Sequence, residues 1–198
     1  MHRLSLPFLV SLLVLASPPA HAATNWSLGA NLGFSFVNPD QGDNLMIFAW
    51  PANADAFQPG IRIGMVKEKS PTEFYIDTGL SIFDGGSSSS SAFELTGNFQ
   101  YNFDAEAAKT TSPYVTAGIG IVTASFDSGS GSGGFDVGAT SAIFGFGGGL
   151  RHRVAGGHGT IRTELRYDRV TEGDDGSVVV IDDAGIIGIK FGFDLWMK

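Results

Sequence analysis

The segment Ile187-Gly188-Ile189-Lys190-Phe191-Gly192-Phe193-Asp194-Leu195-Trp196 decides the fold, because every second residue in it is large and apolar. Side chains alternate across a β-strand. Ile187, Ile189, Phe191, Phe193 and Leu195 therefore share one face, and Gly188, Lys190, Gly192, Asp194 and Trp196 the other. The run matches the ~9 to 11 residues that a tilted strand needs to cross a bilayer. One apolar face and one face of glycines and charges is the pattern of a strand with lipid on one side and a polar interior on the other.

The pattern occurs seven more times upstream. Trp26, Leu28, Ala30, Leu32, Phe34 and Phe36 alternate with Ser27, Gly29, Asn31, Gly33 and Ser35; Ile61, Ile63 and Met65 alternate with Gly60, Arg62 and Gly64. Phe74, Ile76, Thr78, Leu80 and Ile82 oppose Tyr75, Asp77, Gly79 and Ser81, and Phe93, Leu95, Phe99, Tyr101 and Phe103 oppose Glu94, Thr96, Asn98, Gln100 and Asn102. After Pro113, Val115, Ala117, Ile119 and Ile121 face away from Thr116, Gly118 and Gly120. Phe144, Phe146, Gly148 and Leu150 stand against Gly145, Gly147, Gly149 and Arg151, and Ile161, Thr163, Leu165 and Tyr167 against Thr160, Arg162, Glu164, Arg166 and Asp168. Each run has period two, not 3.6. Eight such segments predict an all-β fold, an eight-stranded antiparallel up-and-down transmembrane β-barrel.

Connection lengths give an independent check, since such barrels have short periplasmic turns and longer external loops. From a periplasmic start, the external connections are predicted at Asn38 to Ala56, Asp84 to Ala92, Ala124 to Ala139 and Arg169 to Gly185. The periplasmic ones fall at Lys67 to Thr72, Asp104 to Ser112 and His152 to His158, and are shorter on average. A soluble barrel or sandwich would have to turn the Phe, Ile and Leu faces inward, and an eight-stranded interior is too narrow for them. Trp26, Tyr101, Phe103 and Tyr114 are expected at the periplasmic rim as interface anchors.

The N-terminus carries His2 and Arg3, a mainly apolar run from Leu4 to Ala16, and then Ser17-Pro18-Pro19-Ala20-His21-Ala22. This reads as a secretory signal over residues 1–22, cleaved after Ala22 or Ala23. The barrel domain is then 23–198, placed in the bacterial outer membrane, with no further domain expected beyond the final strand. Arg3 is the one Lys, Arg, Asp or Glu in the signal, so the remainder has 11 basic against 20 acidic residues, a net of −9. An acidic chain lacks the basic footprint that nucleic acid requires. With no cysteine there is no disulfide framework, thiolate metal site or lipid-attachment box.

The layout resembles the small outer-membrane β-barrel family that includes OmpA-like and OmpX-like proteins. The resemblance covers essentially all of the exported part and rests on Trp26-Ser27-Leu28-Gly29-Ala30-Asn31-Leu32-Gly33, Pro113-Tyr114-Val115-Thr116-Ala117-Gly118-Ile119-Gly120 and Glu164-Leu165-Arg166-Tyr167-Asp168. Family members often end on an aromatic residue, whereas here Met197 and Lys198 follow Trp196. These motifs identify a barrel type and are poor guides to activity.

Two groups of residues are candidates for function. Arg62, Arg162, Arg166 and Lys190 balance Asp77, Glu94, Glu164 and Asp194 on the inner faces, so an ion-pair network is expected to plug the barrel. In the first external connection Leu45, Met46, Ile47, Phe48 and Trp50 form an apolar patch fit for a surface partner or a small apolar ligand. The histidines of the exported part, His152 and His158, fall in one periplasmic turn, away from any serine near the outer leaflet and without a third metal ligand. No catalytic residue, cofactor or metal is assigned, and a lipid A-modifying activity is not expected. The sequence thus predicts a monomeric, non-enzymatic protein contacting outer-membrane lipids, with a role in envelope structure, adhesion or interaction. The alternative is a small channel or carrier for a small or apolar solute.

Overall fold

The structure, a computed structural model, describes residues 24–39, 45–49, 60–67, 70–84, 89–103, 110–128, 135–154, 158–171, 173–174, 179–181 and 184–197. The predicted signal, residues 1–22, lies outside them, as does Trp50. The strands are β1 (Thr24–Pro39), β2 (Leu45–Ala49), β3 (Gly60–Lys67), β4 (Thr72–Asp84), β5 (Ser89–Asn102), β6 (Thr111–Ser128), β7 (Phe135–Val154), β8 (Gly159–Val170), β9 (Gly173–Asp174), β10 (Val179–Ile181) and β11 (Ala184–Met197).

Each long strand pairs antiparallel with its neighbour in sequence, in the order β11-β8-β7-β6-β5-β4-β3-β1, and β11 returns to β1 in register from Trp26↔Met197 to Pro39↔Ala184. The sheet is thereby closed into a barrel of eight positions. The second position is shared: β3 pairs with Thr24–Ala30 of β1, and β2 with Gly33–Val37 of the same strand. The hairpin β9–β10 forms a separate two-stranded sheet.

Burial is inverted relative to a water-soluble domain. Phe146 is 63% exposed and Leu165 58%, whereas Arg62 and Glu94 are 0% exposed. In all eight predicted segments the large apolar face points outward, so the barrel presents lipid with a continuous apolar belt. In a hydrocarbon environment a closed barrel also leaves no strand edge with unsatisfied backbone groups.

At the end predicted to be external, hereafter the external end, the strands run further than the alternation predicts. Leu45–Ala49, placed in a loop by sequence, forms β2, while β6 continues to Ser128 and β7 begins at Phe135. Apolar alternation stops where lipid stops, but backbone pairing does not. Above the belt the outer faces carry hydroxyls that bond across strands, Ser91 Oγ to Ser125 Oγ at 2.8 Å and Thr123 Oγ1 to Thr140 Oγ1 at 3.0 Å.

Candidate functional site: the barrel interior

Period two sends every other side chain of each strand inward, and these are polar along most of the barrel. The eight charged residues singled out in the sequence, Arg62, Asp77, Glu94, Arg162, Glu164, Arg166, Lys190 and Asp194, are all inward and no more than 2% exposed. Charges removed from water this completely require opposite charges and hydrogen bonds around them.

Four centres supply most of these partners. Arg162 grips Asp194 by two nitrogens, with Nη2 donating to Oδ1 at 2.9 Å and to Asn31 Oδ1 at 3.1 Å. Arg62 donates to Glu73 Oε1 at 2.8 Å and Gln100 Oε1 at 2.9 Å, lies 3.9 Å from Asp194, and stacks its guanidinium 3.4 Å over the ring centre of Tyr75. Such a cation over an aromatic face gains strength where water is excluded. Arg166 holds Asp168 at 2.8 Å and stands 3.8 Å from Glu164, whose other oxygen accepts the Tyr114 hydroxyl at 2.9 Å. Lys190 crosses the interior to Asp77 at 3.2 Å.

Glu73, Arg151 and Asp168 also belong to this layer; the alternation placed Arg151 and Asp168 on the inner face, but neither was counted in the expected ion-pair set, and Glu73 was not placed. Arg151 donates to Ser112 at 3.0 Å and lies 3.9 Å from Glu73. The count among the described residues is therefore five cations to six anions, not four to four. Parity was the available signal: Glu73 is in step with Tyr75 and Asp77, as Asp168 is with Arg166. Tyr114 is a correction of the same kind. It is 2% exposed and inside the barrel, not anchored at the rim, because it is in step with the inward Thr116. Trp26, Tyr101 and Phe103 do face outward.

Glycines make room for these side chains. Gly145 is in register with Asp168 and Gly29 with Asp194, and a Cβ at either position would fall on the facing carboxylate oxygen. A Cβ at Gly192 would lie 2.6 Å from Arg162 Nη2 and 2.7 Å from Asn31 Oδ1. Asp168, Asp194 and Arg162 thus each lean over a neighbouring strand that has no side chain there.

Towards the external end the inner surface changes character. Val37, Val122, Ile143, Val170, Ala184 and Ile186 form one buried apolar cluster, none more than 8% exposed. They come from β1, β6, β7, β8 and β11, with Val37 in register with Ile186, Ala184 with Val170, and Val170 with Ile143. The sequence reading missed this layer, although adjacent apolar pairs mark it: Phe36-Val37, Ile121-Val122, Ile143-Phe144 and Ile186-Ile187. In each pair one member faces lipid and the other the interior.

Of the apolar patch, Leu45 to Phe48 lie in β2, opposite Val37 to Phe34. His152 Nδ1 lies 2.7 Å from Thr111 Oγ1 at the exposed end predicted to be periplasmic, and His158 is exposed at the same end. Among the described residues no group of three or more His, Cys, Asp or Glu could hold a metal ion.

No protein-family model matches the chain, and no curated protein matches it in sequence. Solved structures do. Neisserial surface protein A is similar over 86% of this chain and 96% of its own, at 16% identity and a TM-score of 0.60. The chain has the fold of the small outer-membrane β-barrels. The attachment invasion locus protein Ail of Yersinia pestis, crystallised with the heparin analogue sucrose octasulfate, is similar over 88% of this chain and 99% of its own, at 15% identity and a TM-score of 0.53. A major outer membrane protein of Thermus thermophilus is similar over 88% and 100%, at 11% identity and the same TM-score of 0.53. At these identities the likeness concerns the barrel itself.

Proposed function

We infer that the protein is exported by its N-terminal signal, cleaved after Ala22 or Ala23, and inserted in the bacterial outer membrane as a monomeric, non-enzymatic barrel that is closed to solutes. Its work is then done by its surface: structural support of the envelope, adhesion or interaction with a partner. The observation that carries this reading is the interior itself, where Arg62, Arg162, Arg166 and Lys190 are all at most 2% exposed and bound to carboxylates. An aqueous channel keeps its wall charges hydrated; here the charges are packed against each other. Ail shows that a barrel of this size can be crystallised with a heparin analogue, so surface attachment is compatible with the fold.

Planar-bilayer recording of the purified, refolded protein tests the closure. The expected outcome is no stable conductance from material that shows the mobility shift of a folded barrel between boiled and unboiled electrophoresis. Stable conductance, or saturable uptake of an apolar solute by vesicles containing the protein, would replace this reading with the channel or carrier alternative.

A further inference from the structure

The interior has two layers of opposite chemistry, and only the lower one is charged. Below lie the ion pairs of Arg62, Arg162, Arg166 and Lys190; above, towards the external end, Val37, Val122, Ile143, Val170, Ala184 and Ile186 cluster without a polar atom in their side chains. We propose that this apolar cluster is a septum that seals the external mouth against water and ions, and that it, with the charge network beneath, keeps the barrel shut. The proposal deepens the closed-barrel reading and rests on it.

Three observations carry it. The cluster draws on five consecutive wall positions of the eight, β6, β7, β8, β11 and β1, so it runs half-way round the interior and reaches from β6 to the opposite wall at β1. Ile186 and Ile143, its largest members, are 0% and 1% exposed. They point inward from β11 and β7, and Ser141 of β7, 3% exposed and in register with Val122, is an inward hydroxyl at the edge of the cluster. A constriction lined by aliphatic groups holds water poorly and blocks ions by dewetting, with no charged gate required. Immediately beneath the septum, Ser35 is 0% exposed, in register with Gly188, two residues below Val37. An excluded-water layer here also strengthens the ion pairs below, because salt and water would otherwise screen them.

The chain has no cysteine, so an introduced thiol is the only one present. The test uses Ser35→Cys in the full refolded barrel in micelles, with a small charged methanethiosulfonate as probe and boiled-versus-unboiled mobility as the folding check. Ser35→Cys is expected to resist labelling in the folded protein and to label fully on unfolding. Adding Ile143→Ser and Ile186→Ser, which remove bulk and add hydroxyls, is expected to make it label while the barrel stays folded. If the double serine variant does not assemble, Val122→Thr with Val170→Thr retains the β-branched shapes and gives the same readout. A folded septum variant in which Ser35→Cys stays protected overturns the proposal. So does rapid labelling of Ser35→Cys with the septum intact; if that barrel also fails to conduct, the closed-barrel reading survives on the charge network alone. Conductance by the unaltered protein would defeat both.

Discussion

Lys190 on β11 binds Asp77 on β4, Nζ to Oδ2 at 3.2 Å, although its register partners are Glu164 on β8 and Gly33 on β1. The bond spans the interior instead of following the sheet. It links two strands with β1 and β3 between them, so it braces the wall from inside.

Removing one partner should therefore cost more than removing both. Lys190→Met leaves Asp77 buried without its cation, a change expected to cost ~3 to 5 kcal/mol. The double variant with Asp77→Asn should recover most of that loss. Urea unfolding in lipid vesicles, followed by tryptophan fluorescence, measures both. Equal destabilisation by the single and double variants would mean that the pair does not act as a brace.

The glycine positions predict a contrast between the two faces. A Cβ at Gly145 would fall on Asp168, so Gly145→Ala should cost ~1 to 3 kcal/mol through forced repacking. Gly97 faces outward, and a Cβ there meets nothing nearer than the Ile119 carbonyl oxygen at 4.0 Å. Gly97→Ala should change stability by no more than ~0.5 kcal/mol. The midpoint of the heat-modifiable transition compares the two.

The lipid belt makes its own prediction at Phe191, mid-strand in β11 and outward-facing. Phe191→Arg should destabilise the vesicle-inserted barrel by ~2 to 4 kcal/mol, while Met197→Arg, at the periplasmic end, should cost about 0 to 1 kcal/mol. Equal effects at both positions would contradict the placement of the belt.

The surface reading is tested at the apolar patch. Replacing Ile47, Phe48 and Trp50 with Ser should abolish binding to cells or uptake of an apolar ligand while the mobility shift of the folded barrel persists. If binding is unchanged, the patch serves the wall and not a partner. Leu45–Ala49 pairs with Val37–Gly33, so this comparison separates a structural from a functional use of those side chains.

The barrel was legible from sequence because lipid and a polar interior write opposite residue types on alternate positions, as β11 does from Ile187 to Leu195. What was lost lay where that contrast fades. At the external end the outer face turns to Ser91, Thr123 and Thr140 while the inner face turns to Val122 and Ile143, so alternation no longer marks which residues are inside. Pairings such as Lys190 with Asp77 were out of reach for another reason. Parity fixes the face of a residue but not which of several opposite charges its flexible chain will reach across the interior.

The β1–β11 seam dictates an order of events during assembly. Every other wall contact joins neighbours in the chain order of the meander, whereas the seam joins the first strand to the last through fourteen register pairs. Hairpins such as β6–β7 can zip locally, but β1 must wait with one edge incomplete until β11 arrives. Closure is thus the late, long-range step. Lesions confined to Trp26–Pro39 or Ala184–Met197 should reveal themselves as slow insertion and loss to aggregation through an unpaired edge.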